Sequence, residues 1–263
     1  MTPYEYTRAG SEMATSATRT THEISERKTA SPSIGLVIAL PQEARMFARD
    51  LPEANEVARV DEHLLVCVGG VGPTRAQSAA QLLLARGASA LMSWGVAAAL
   101  VPDLKSGSVL LPRAVIGFDG AVFPVDSVWH ERVRESATFD VRPIAEARSM
   151  LATSAQKRAL GDAAHAAAAD MESAAVARVA RQAGAPFLIV RAIADDCEMA
   201  MPAWLMRCVD TRGRVRIDTL LGQLLRHPHD FVAVARVARA FAAAKAGLSR
   251  FKAQHLQYPL MLA

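Results

Sequence analysis

Long apolar runs, paired cysteines and blocks of like charge are all missing from this 263-residue sequence. The longest apolar stretch, residues 88–101, is shorter than the roughly 20 residues that a membrane-spanning helix needs. The cysteines Cys67, Cys197 and Cys208 lie far apart, with no CxxC pair and no Cys/His cluster at metal-ligand spacing. We therefore expect no transmembrane segment, no metal site, and a reducing, cytoplasmic environment.

Signals for nucleic-acid binding and for secretion are also lacking. The net charge is only +4 and the basic residues are dispersed, a pattern that does not favour a nucleic-acid partner. Residues 1–30 are rich in Thr, Ser and charged residues and have no apolar centre of the kind found in signal peptides. We predict a disordered tail over residues 1–30 and one domain over residues 31–263.

The sequence does contain an alternation of apolar and amphipathic segments. Four short, mostly apolar runs, the first of them continuously apolar, are typical of strands buried on both faces of a parallel sheet. They span residues 34–40, 64–68, 90–94 and 187–193. The predicted helices begin at Pro41 and span residues 74–86, 170–182 and 231–251.

The remaining central segments are less regular. Residues 107–115 are predicted to form a fourth strand in chain order, and residues 118–138 are predicted to be loop-rich. Alternating strands and helices indicate a fold of the α/β class. It is predicted to be a single domain with a mixed, mostly parallel twisted sheet flanked by helices.

Two features near the first strands are candidates for a ligand site, because ligands of such sheets bind outside the carboxyl ends of the strands. Glu43 would activate a water there, although spacing by itself favours a first-turn acid placed by the helix dipole. The glycine-rich turn at residues 69–75, which includes Gly70, would present backbone N–H groups to a phosphate or sugar. It lacks the dinucleotide and P-loop fingerprints, and a tight turn without a ligand fits equally well.

Two acidic motifs come later in the chain. Asp170 and Glu172 flank Met171 at a predicted helix start, where positions one residue apart point roughly 100° away from each other. Spacing by itself favours Asp170 as the cap and Glu172 as an ordinary first-turn acid. Asp195 and Asp196 follow the strand at 187–193, where a partly desolvated carboxyl would act as a general acid and a polar turn is the simpler interpretation.

Taken in order, these motifs resemble the nucleoside phosphorylase/nucleosidase superfamily, and within it the branch of methylthioadenosine/adenosylhomocysteine nucleosidase. The resemblance covers roughly residues 34–196. It rests on residues 34–43, 70–72, 95–100, 170–177 and 191–195, all in the family's order.

The resemblance implies a role for four side chains. Glu172 matches the acid that binds the ribose hydroxyls, and Met171 matches the side chain that lies against the sugar. Asp195 matches the acid that protonates the departing purine, and Glu43 matches the acid that activates water in hydrolytic members. These groups would act on charge that grows in the transition state of C–N cleavage.

The sequence also departs from the family's pattern. Val96 replaces a serine in the family's Gly-Ser-Ala-Gly-Gly turn, and residues 151–157 lack the phenylalanine that lies against the purine. Methylthioadenosine is therefore not the obvious substrate. We still expect Gly70 and Val96 to contact the substrate and Phe118 to line the opening of the site.

The chain also resembles the hopanoid-associated phosphorylases of bacteria, on residues 154–157 and, beyond residue 196, on residues 201–203 and 213–215 and on the entry to the terminal helix. This implies removal of adenine from adenosylhopane in hopanoid lipid biosynthesis. A lipid-linked substrate would suit peripheral contact of the C-terminal helix with the inner face of the membrane. Packing of that helix on the core is the more ordinary interpretation. The family also implies a homo-oligomer.

The leading hypothesis is cleavage of the C–N glycosidic bond of a purine nucleoside without a cofactor. Glu43 favours water as the nucleophile, with inorganic phosphate as the alternative co-substrate. Two other hypotheses stay open: a nucleosidase for methylthioadenosine, adenosylhomocysteine or futalosine, and a non-catalytic nucleoside sensor.

Overall fold

The computed structural model describes residues 32–48, 56–135, 137–202, 204–208 and 216–256. The predicted tail at 1–30 and the motif at 213–215 lie outside the described residues. The strands are β1 (Ile34–Ile38), β2 (Val57–Arg59), β3 (Leu64–Val68), β4 (Ala90–Ala99), β5 (Val109–Leu110), β6 (Ala114–Ile116), β7 (Val122–Pro124), β8 (Ile144–Glu146), β9 (Ala168–Asp170) and β10 (Phe187–Asp195). The helices are α1 (Pro41–Ala44), α2 (Pro73–Ala85), α3 (Ser127–Arg134), α4 (Ser154–Ala164), α5 (Ser173–Ala183), α6 (Ile217–Arg226) and α7 (Phe231–His255).

In the described part of the chain these strands form one mixed sheet in the order β2-β3-β1-β4-β9-β8-β6-β7, with β10 paired to β4 and β5 paired to β10. The central pairs β1 with β3, β1 with β4 and β10 with β4 are parallel. The carboxyl ends of β1, β3, β4 and β10 therefore lie along one edge. The predicted α/β class and mostly parallel sheet are confirmed.

Both faces of the central sheet are covered, which explains why its strands are mostly apolar. Side chains alternate between faces along each strand. Val37, Leu65 and Leu91 pack with residues of α2 and α5 on one face. On the other face Trp94 packs against Phe251 of α7, with ring centroids 5.8 Å apart.

The prediction of one strand at 107–115 is wrong. β5 pairs with β10, whereas β6 pairs with β7 and β8. Pro112 lies between them, and the flanking N–H groups of Leu111 and Arg113 donate to the carbonyls of Asp140 and Val141. The sequence pattern does not show where β5 ends and β6 begins, because both strands are buried and apolar although they pair with different neighbours.

The prediction of a loop-rich segment at 118–138 is also wrong. It contains β7 and α3, and the Asp126 side chain caps α3 by accepting from the Trp129 N–H at 2.8 Å. The helix predicted at 170–182 begins later, at Ser173, because residues 168–170 form the short strand β9. A strand of three residues is too short to show its own periodicity.

The terminal helix α7 divides into two parts. Its second half packs on the core through Ala244, Leu248 and Phe251, which confirms the core-packing interpretation there. At its start Phe231 and Val232 are each 64% exposed. Among the described residues, no helix is both long enough and apolar enough to cross a membrane.

Candidate active site

Glu43 is held beside the end of β1 by two backbone amides. Its Oε1 accepts from the Val96 N–H at 3.0 Å and its Oε2 accepts from the Leu40 N–H at 3.2 Å. The carboxylate lies against Gly95 of β4, where an added Cβ would be 3.1 Å from both Glu43 oxygens and 2.6 Å from Nη1 of Arg191. Because glycine has no side chain, the Glu43 carboxylate and the Arg191 guanidinium can both lie against β4 at this position.

Glu172 occupies the N-cap position of α5 and contacts the glycine-rich turn that follows β3. Its Oε1 accepts from the Gly72 N–H at 2.8 Å, and its Oε2 accepts from the Met171 N–H at 3.3 Å. Gly70 and Gly72 have φ angles of 96° and 102°, a region that favours glycine. The Gly72 amide of this turn thus donates a hydrogen bond to the Glu172 carboxylate.

Arg191 crosses beneath these acids from the middle of β10. Its Nε donates to Asp170 Oδ2 at 2.5 Å, and its Nη2 donates to the hydroxyls of Ser93 and Ser173 at 2.7 and 3.0 Å. Asp170 also accepts from the backbone N–H of Ser173 at 3.0 Å, which caps α5. We call this network the arginine cluster; its members are Glu43, Ser93, Asp170, Glu172, Ser173 and Arg191.

Burial and crowding of negative charge alter the acids of the arginine cluster. Burial raises the pKa of Glu43 to about 7, against the opposing charge of Arg191 and with a smaller contribution from Glu172. Burial and then the charge of Asp170 raise the pKa of Glu172 as well, while Arg191 opposes the shift. Near neutral pH Glu43 can therefore both hold and release a proton, as a general base must.

Asp195 ends β10 and meets a buried lysine. Its Oδ1 accepts from Nζ of Lys157, on α4, at 2.6 Å. Burial raises the pKa of Asp195, and the hydrogen bond and charge of Lys157 oppose that rise. We call Asp195 and Lys157 the lysine pair.

The other residues predicted for the site are divided between two places. Val96 and Met171 contribute backbone amides to Glu43 and Glu172. Phe118 lines a separate recess of about 340 Å³ that contains none of the three carboxylates Glu43, Glu172 and Asp195. There its ring lies under the guanidinium of Arg148, 4.4 Å from the ring centroid. The structure thus brings Phe118 together with arginines and not with these acids.

A group of potential metal ligands lies elsewhere in the described residues. His227, His229 and Asp230, between α6 and α7, have ligand atoms within 4.8 Å of one another. Asp230 also accepts from Nε1 of Trp204 at 2.7 Å. In the arginine cluster the carboxylate oxygens are instead engaged by amides, hydroxyls and Arg191.

Two cations of the site were not predicted from the sequence. Arg191 interrupts an apolar strand, and Lys157 is fully buried in a helix that the sequence analysis did not identify. A charge within an apolar strand is a usable signal, since a buried charge needs a partner. Lys157 had no such signal, because the adjoining positions 156 and 158 are polar.

Comparisons with known proteins agree with this architecture. Residues 33–221, more than two thirds of the chain, match the family model described as the phosphorylase superfamily. A comparison with curated proteins finds no match.

Solved structures with the same fold include three nucleosidases. The native futalosine hydrolase of Helicobacter pylori strain 26695 is 16% identical, with a TM-score of 0.63 over 85% of this chain and 96% of that chain. An S-adenosylhomocysteine nucleosidase from Streptococcus pyogenes, in complex with 5-methylthiotubericidin, is 20% identical, with a TM-score of 0.63 over 84% and 94%. A 5'-methylthioadenosine/S-adenosylhomocysteine nucleosidase from Neisseria meningitidis, in complex with methylthio-immucillin-A, is 17% identical, with a TM-score of 0.61 over 84% and 97%. At these identities the structures show a shared fold, and the family model covers the segments that form both the arginine cluster and the lysine pair. The chain belongs to the phosphorylase superfamily.

Proposed function

We propose that this protein cleaves the C–N glycosidic bond of a purine nucleoside. The observation that carries the proposal is the convergence of Glu43, Glu172 and Asp195 on one edge of the sheet, each buried and each with a raised pKa. Cleavage of this bond develops positive charge on the ribose and negative charge on the leaving base. Carboxylates stabilise the positive charge, and a carboxyl group whose pKa is raised can donate a proton to the base.

Each acid has a proposed role that agrees with its surroundings. Asp195 protonates the departing purine, and Glu172 binds the ribose hydroxyls with Met171 beside the sugar. Glu43 removes a proton from the attacking water. The anchors of Glu43 are backbone amides, which fix its orientation before the substrate binds.

Water is the proposed nucleophile, and inorganic phosphate is the alternative co-substrate. A phosphate site needs cationic donors that are available to the anion. Arg191 is already bound to Asp170, Ser93 and Ser173, and Arg113 is exposed beside Glu131 at 3.8 Å. The engagement of Arg191, the cation at the centre of the arginine cluster, supports hydrolysis over phosphorolysis.

Adenosylhopane is the proposed substrate, at the inner face of the membrane. The resemblance of the C-terminal segments suggests it, and three exposed apolar side chains support a lipid contact: Leu225, Phe231 and Val232. The exposed Arg226 and Arg236 would favour an anionic surface there. A homo-oligomer is part of the same proposal.

A small soluble nucleoside is the competing substrate. The protein shares its fold with a futalosine hydrolase and with methylthioadenosine and adenosylhomocysteine nucleosidases, which favours this alternative. The two substrate classes differ in the group attached to the 5' carbon, and the catalytic acids would act in the same way on both.

An assay of base release from a panel of nucleosides tests the proposal. The panel contains adenosine, methylthioadenosine, adenosylhomocysteine, futalosine and adenosylhopane in vesicles, each with and without phosphate. We expect free base and a free sugar product without added phosphate, fastest from adenosylhopane. A sugar 1-phosphate that forms only with phosphate would contradict hydrolysis, and release only from soluble nucleosides would contradict the lipid substrate.

Variants of two adjacent acids test the catalytic role. Asp195→Asn should lower kcat by about 10²- to 10⁴-fold, the usual contribution of a general acid, with little change in substrate binding. Asp196→Asn is the matched control, because Asp196 accepts from Ser106 and not from Lys157 through its side chain. Equal nucleoside binding by wild type and Asp195→Asn, with no base released by either, would support a sensor instead.

A further inference from the structure

Lys157 is a buried cation with three hydrogen bonds, all to oxygen acceptors. Its side chain is fully buried, and Nζ lies 2.6 Å from Asp195 Oδ1, 2.7 Å from the carbonyl of Asp196 and 2.7 Å from the carbonyl of Met199. An ammonium has three N–H donors, whereas a neutral amine has two donors and a lone pair. Three acceptors at these distances therefore identify Lys157 as the charged ammonium.

This contact restrains the candidate acid at one of its two oxygens. Lys157 binds Oδ1, and within the described residues no protein hydrogen bond reaches Oδ2 of Asp195. The same ammonium ties Asp195 to the backbone that follows β10, through Asp196 and Met199. The carboxyl group is thus fixed at Oδ1 and available at Oδ2.

We infer that Lys157 is the positioning residue of the general acid: it holds Oδ1, presents Oδ2 to the leaving base, and keeps a positive charge beside the carboxyl group during proton transfer. This inference rests on the proposed function. In the step itself, the O–H bond of Asp195 breaks and an N–H bond forms on the departing base. The electron pair of the O–H bond stays on the carboxylate, where the ammonium stabilises the new negative charge.

The charge of Lys157 has two opposing effects on the reaction. It lowers the fraction of Asp195 that is protonated at rest, and it makes the protonated group a stronger acid. Burial of Asp195 acts against the first effect. In a pair balanced in this way, burial favours the protonated carboxyl group that a general acid needs, and the ammonium favours the release of its proton when the glycosidic bond breaks.

Other ionisable groups surround the lysine pair and have to be considered in any pH measurement. Asp196 acts on Asp195, Lys157 acts on Cys197, and Glu198 and Lys105 act on Cys197 as well. Asp196 raises the pKa of Asp195, although less than burial does, and its own Oδ1 accepts from both the N–H and the hydroxyl of Ser106. Among the charged groups recorded around Asp195, Lys157 is the one that contacts its carboxylate directly.

The decisive experiment compares pH profiles of kcat for wild type, Lys157→Met and Lys157→Arg. Lys157→Met should lower kcat at neutral pH by about tenfold or more and move the alkaline limb upward by about one pH unit or more, because the neighbouring cation is lost. Lys157→Arg keeps the charge and should leave the limb near its wild-type position. Arg158→Met is the matched control on the same helix, since Arg158 pairs with the exposed Glu198 at 3.3 Å.

Two further measurements separate positioning from a general loss of structure. In an Asp195→Asn background, Lys157→Met should have no additional effect on kcat, because its action passes through Asp195. If Lys157→Met does not fold, Lys157→Gln, which is neutral and keeps two donors, takes its place. An alkaline limb that stays in place in the neutral variants would overturn the inference.

A titration of the Asp195 carboxyl by carbon-13 NMR gives a readout that is independent of turnover. Loss of the ammonium should raise the pH at which this carbon titrates, and an unchanged titration would overturn the inference. Absence of base release by the wild-type protein would overturn the proposed function instead. The two failures are therefore distinguishable.

Discussion

The arginine cluster and the lysine pair both place buried carboxyl groups around one buried cation, but their charge balance differs. The cluster has three carboxyl groups, Glu43, Asp170 and Glu172, for the single guanidinium of Arg191. The pair has one carboxyl group for one ammonium. In both places burial and a negative neighbour raise the pKa of the carboxyl groups, and the cation opposes that rise. In the cluster Arg191 donates hydrogen bonds to Asp170 and acts on Glu43 and Glu172 through its charge, whereas in the pair Lys157 donates directly to Asp195.

This difference suggests a division of labour among buried acids. Asp170 makes the direct ion pair with Arg191 and caps α5, so it is primarily structural. Glu43 and Glu172 lie within the field of the same guanidinium but are held by backbone amides. Glu43 does not form the direct ion pair with Arg191, and its pKa of about 7 lets it exchange a proton near neutral pH. The proposed base needs this property.

The largest effect on stability is expected from Asp170→Ala. The variant leaves Arg191 buried without its ion partner and removes the cap of α5. Breaking a buried ion pair on one side costs about 3–5 kcal/mol of unfolding free energy. The measurement is urea denaturation of the variant and of wild type.

A control for Asp170→Ala is Glu131→Ala, which removes an exposed partner of Arg134 at 2.7 Å. Exposed pairs of this kind contribute little to stability, because water and salt screen their charges. Comparable losses in the two variants would show that Asp170 is not the structural anchor of the arginine cluster.

Glu43→Gln is expected to change how stability depends on pH. Since the pKa of Glu43 is about 7 in the folded protein and 4.5 ordinarily, folding takes up a proton between these values. Wild-type stability should therefore fall as pH rises through that window, by up to about 3 kcal/mol at 1.36 kcal/mol per pKa unit. Glutamine cannot ionise, so the variant should lose this part of the pH dependence.

Urea denaturation at pH 5 and pH 8 measures that change, and the difference between the two pH values cancels any pH-independent loss of a hydrogen bond. The same variant should lose the acid limb near pH 7 from its kcat profile if Glu43 is the base. An unchanged pH dependence of stability would show that Glu43 does not retain its proton in the folded protein.

The smallest of these effects is expected from Ser93→Ala. Its hydroxyl accepts from Arg191 Nη2, and Ser173 still accepts from the same nitrogen in the variant. A hydrogen bond to a charged group contributes about 1.5–3 kcal/mol, and the remaining partner should reduce the loss to about 1–2 kcal/mol. Thermal and urea unfolding would measure it against Ser78→Ala, whose hydroxyl is exposed and bonds only within α2.

Local pattern predicted the central fold well and its periphery poorly. The mostly apolar runs at 34–40, 64–68, 90–94 and 187–193 correspond to β1, β3, β4 and β10, because a strand buried on both faces gives a simple sequence pattern. The strands β8 and β9 have three residues each and give almost no recognisable sequence pattern. Pairing across the sheet, and not local pattern, determines those elements.

The candidate acids were found in the sequence, but their partners were not. Each of the acids Glu43, Glu172 and Asp195 follows a recognisable strand or begins a predicted helix. The order of the motifs along the chain then indicated the family and a role for each acid. Spacing could not show that the Glu43 carboxylate bonds to the Val96 amide, 53 residues away, or that Glu172 bonds to the Gly72 amide, 100 residues away. Phe118 was predicted to line the opening of the site, and it lines a recess whose lining residues include none of these acids.

The sequence by itself determined that this chain forms an α/β domain with acids at the carboxyl ends of its strands, because apolar periodicity and strand ends are local properties. Only the tertiary structure decided how those acids are charged. Each pKa depends on burial and on cations from distant segments, Arg191 for the arginine cluster and Lys157 for the lysine pair. Such distances in space are set by strand order and helix packing, which no local stretch of sequence encodes.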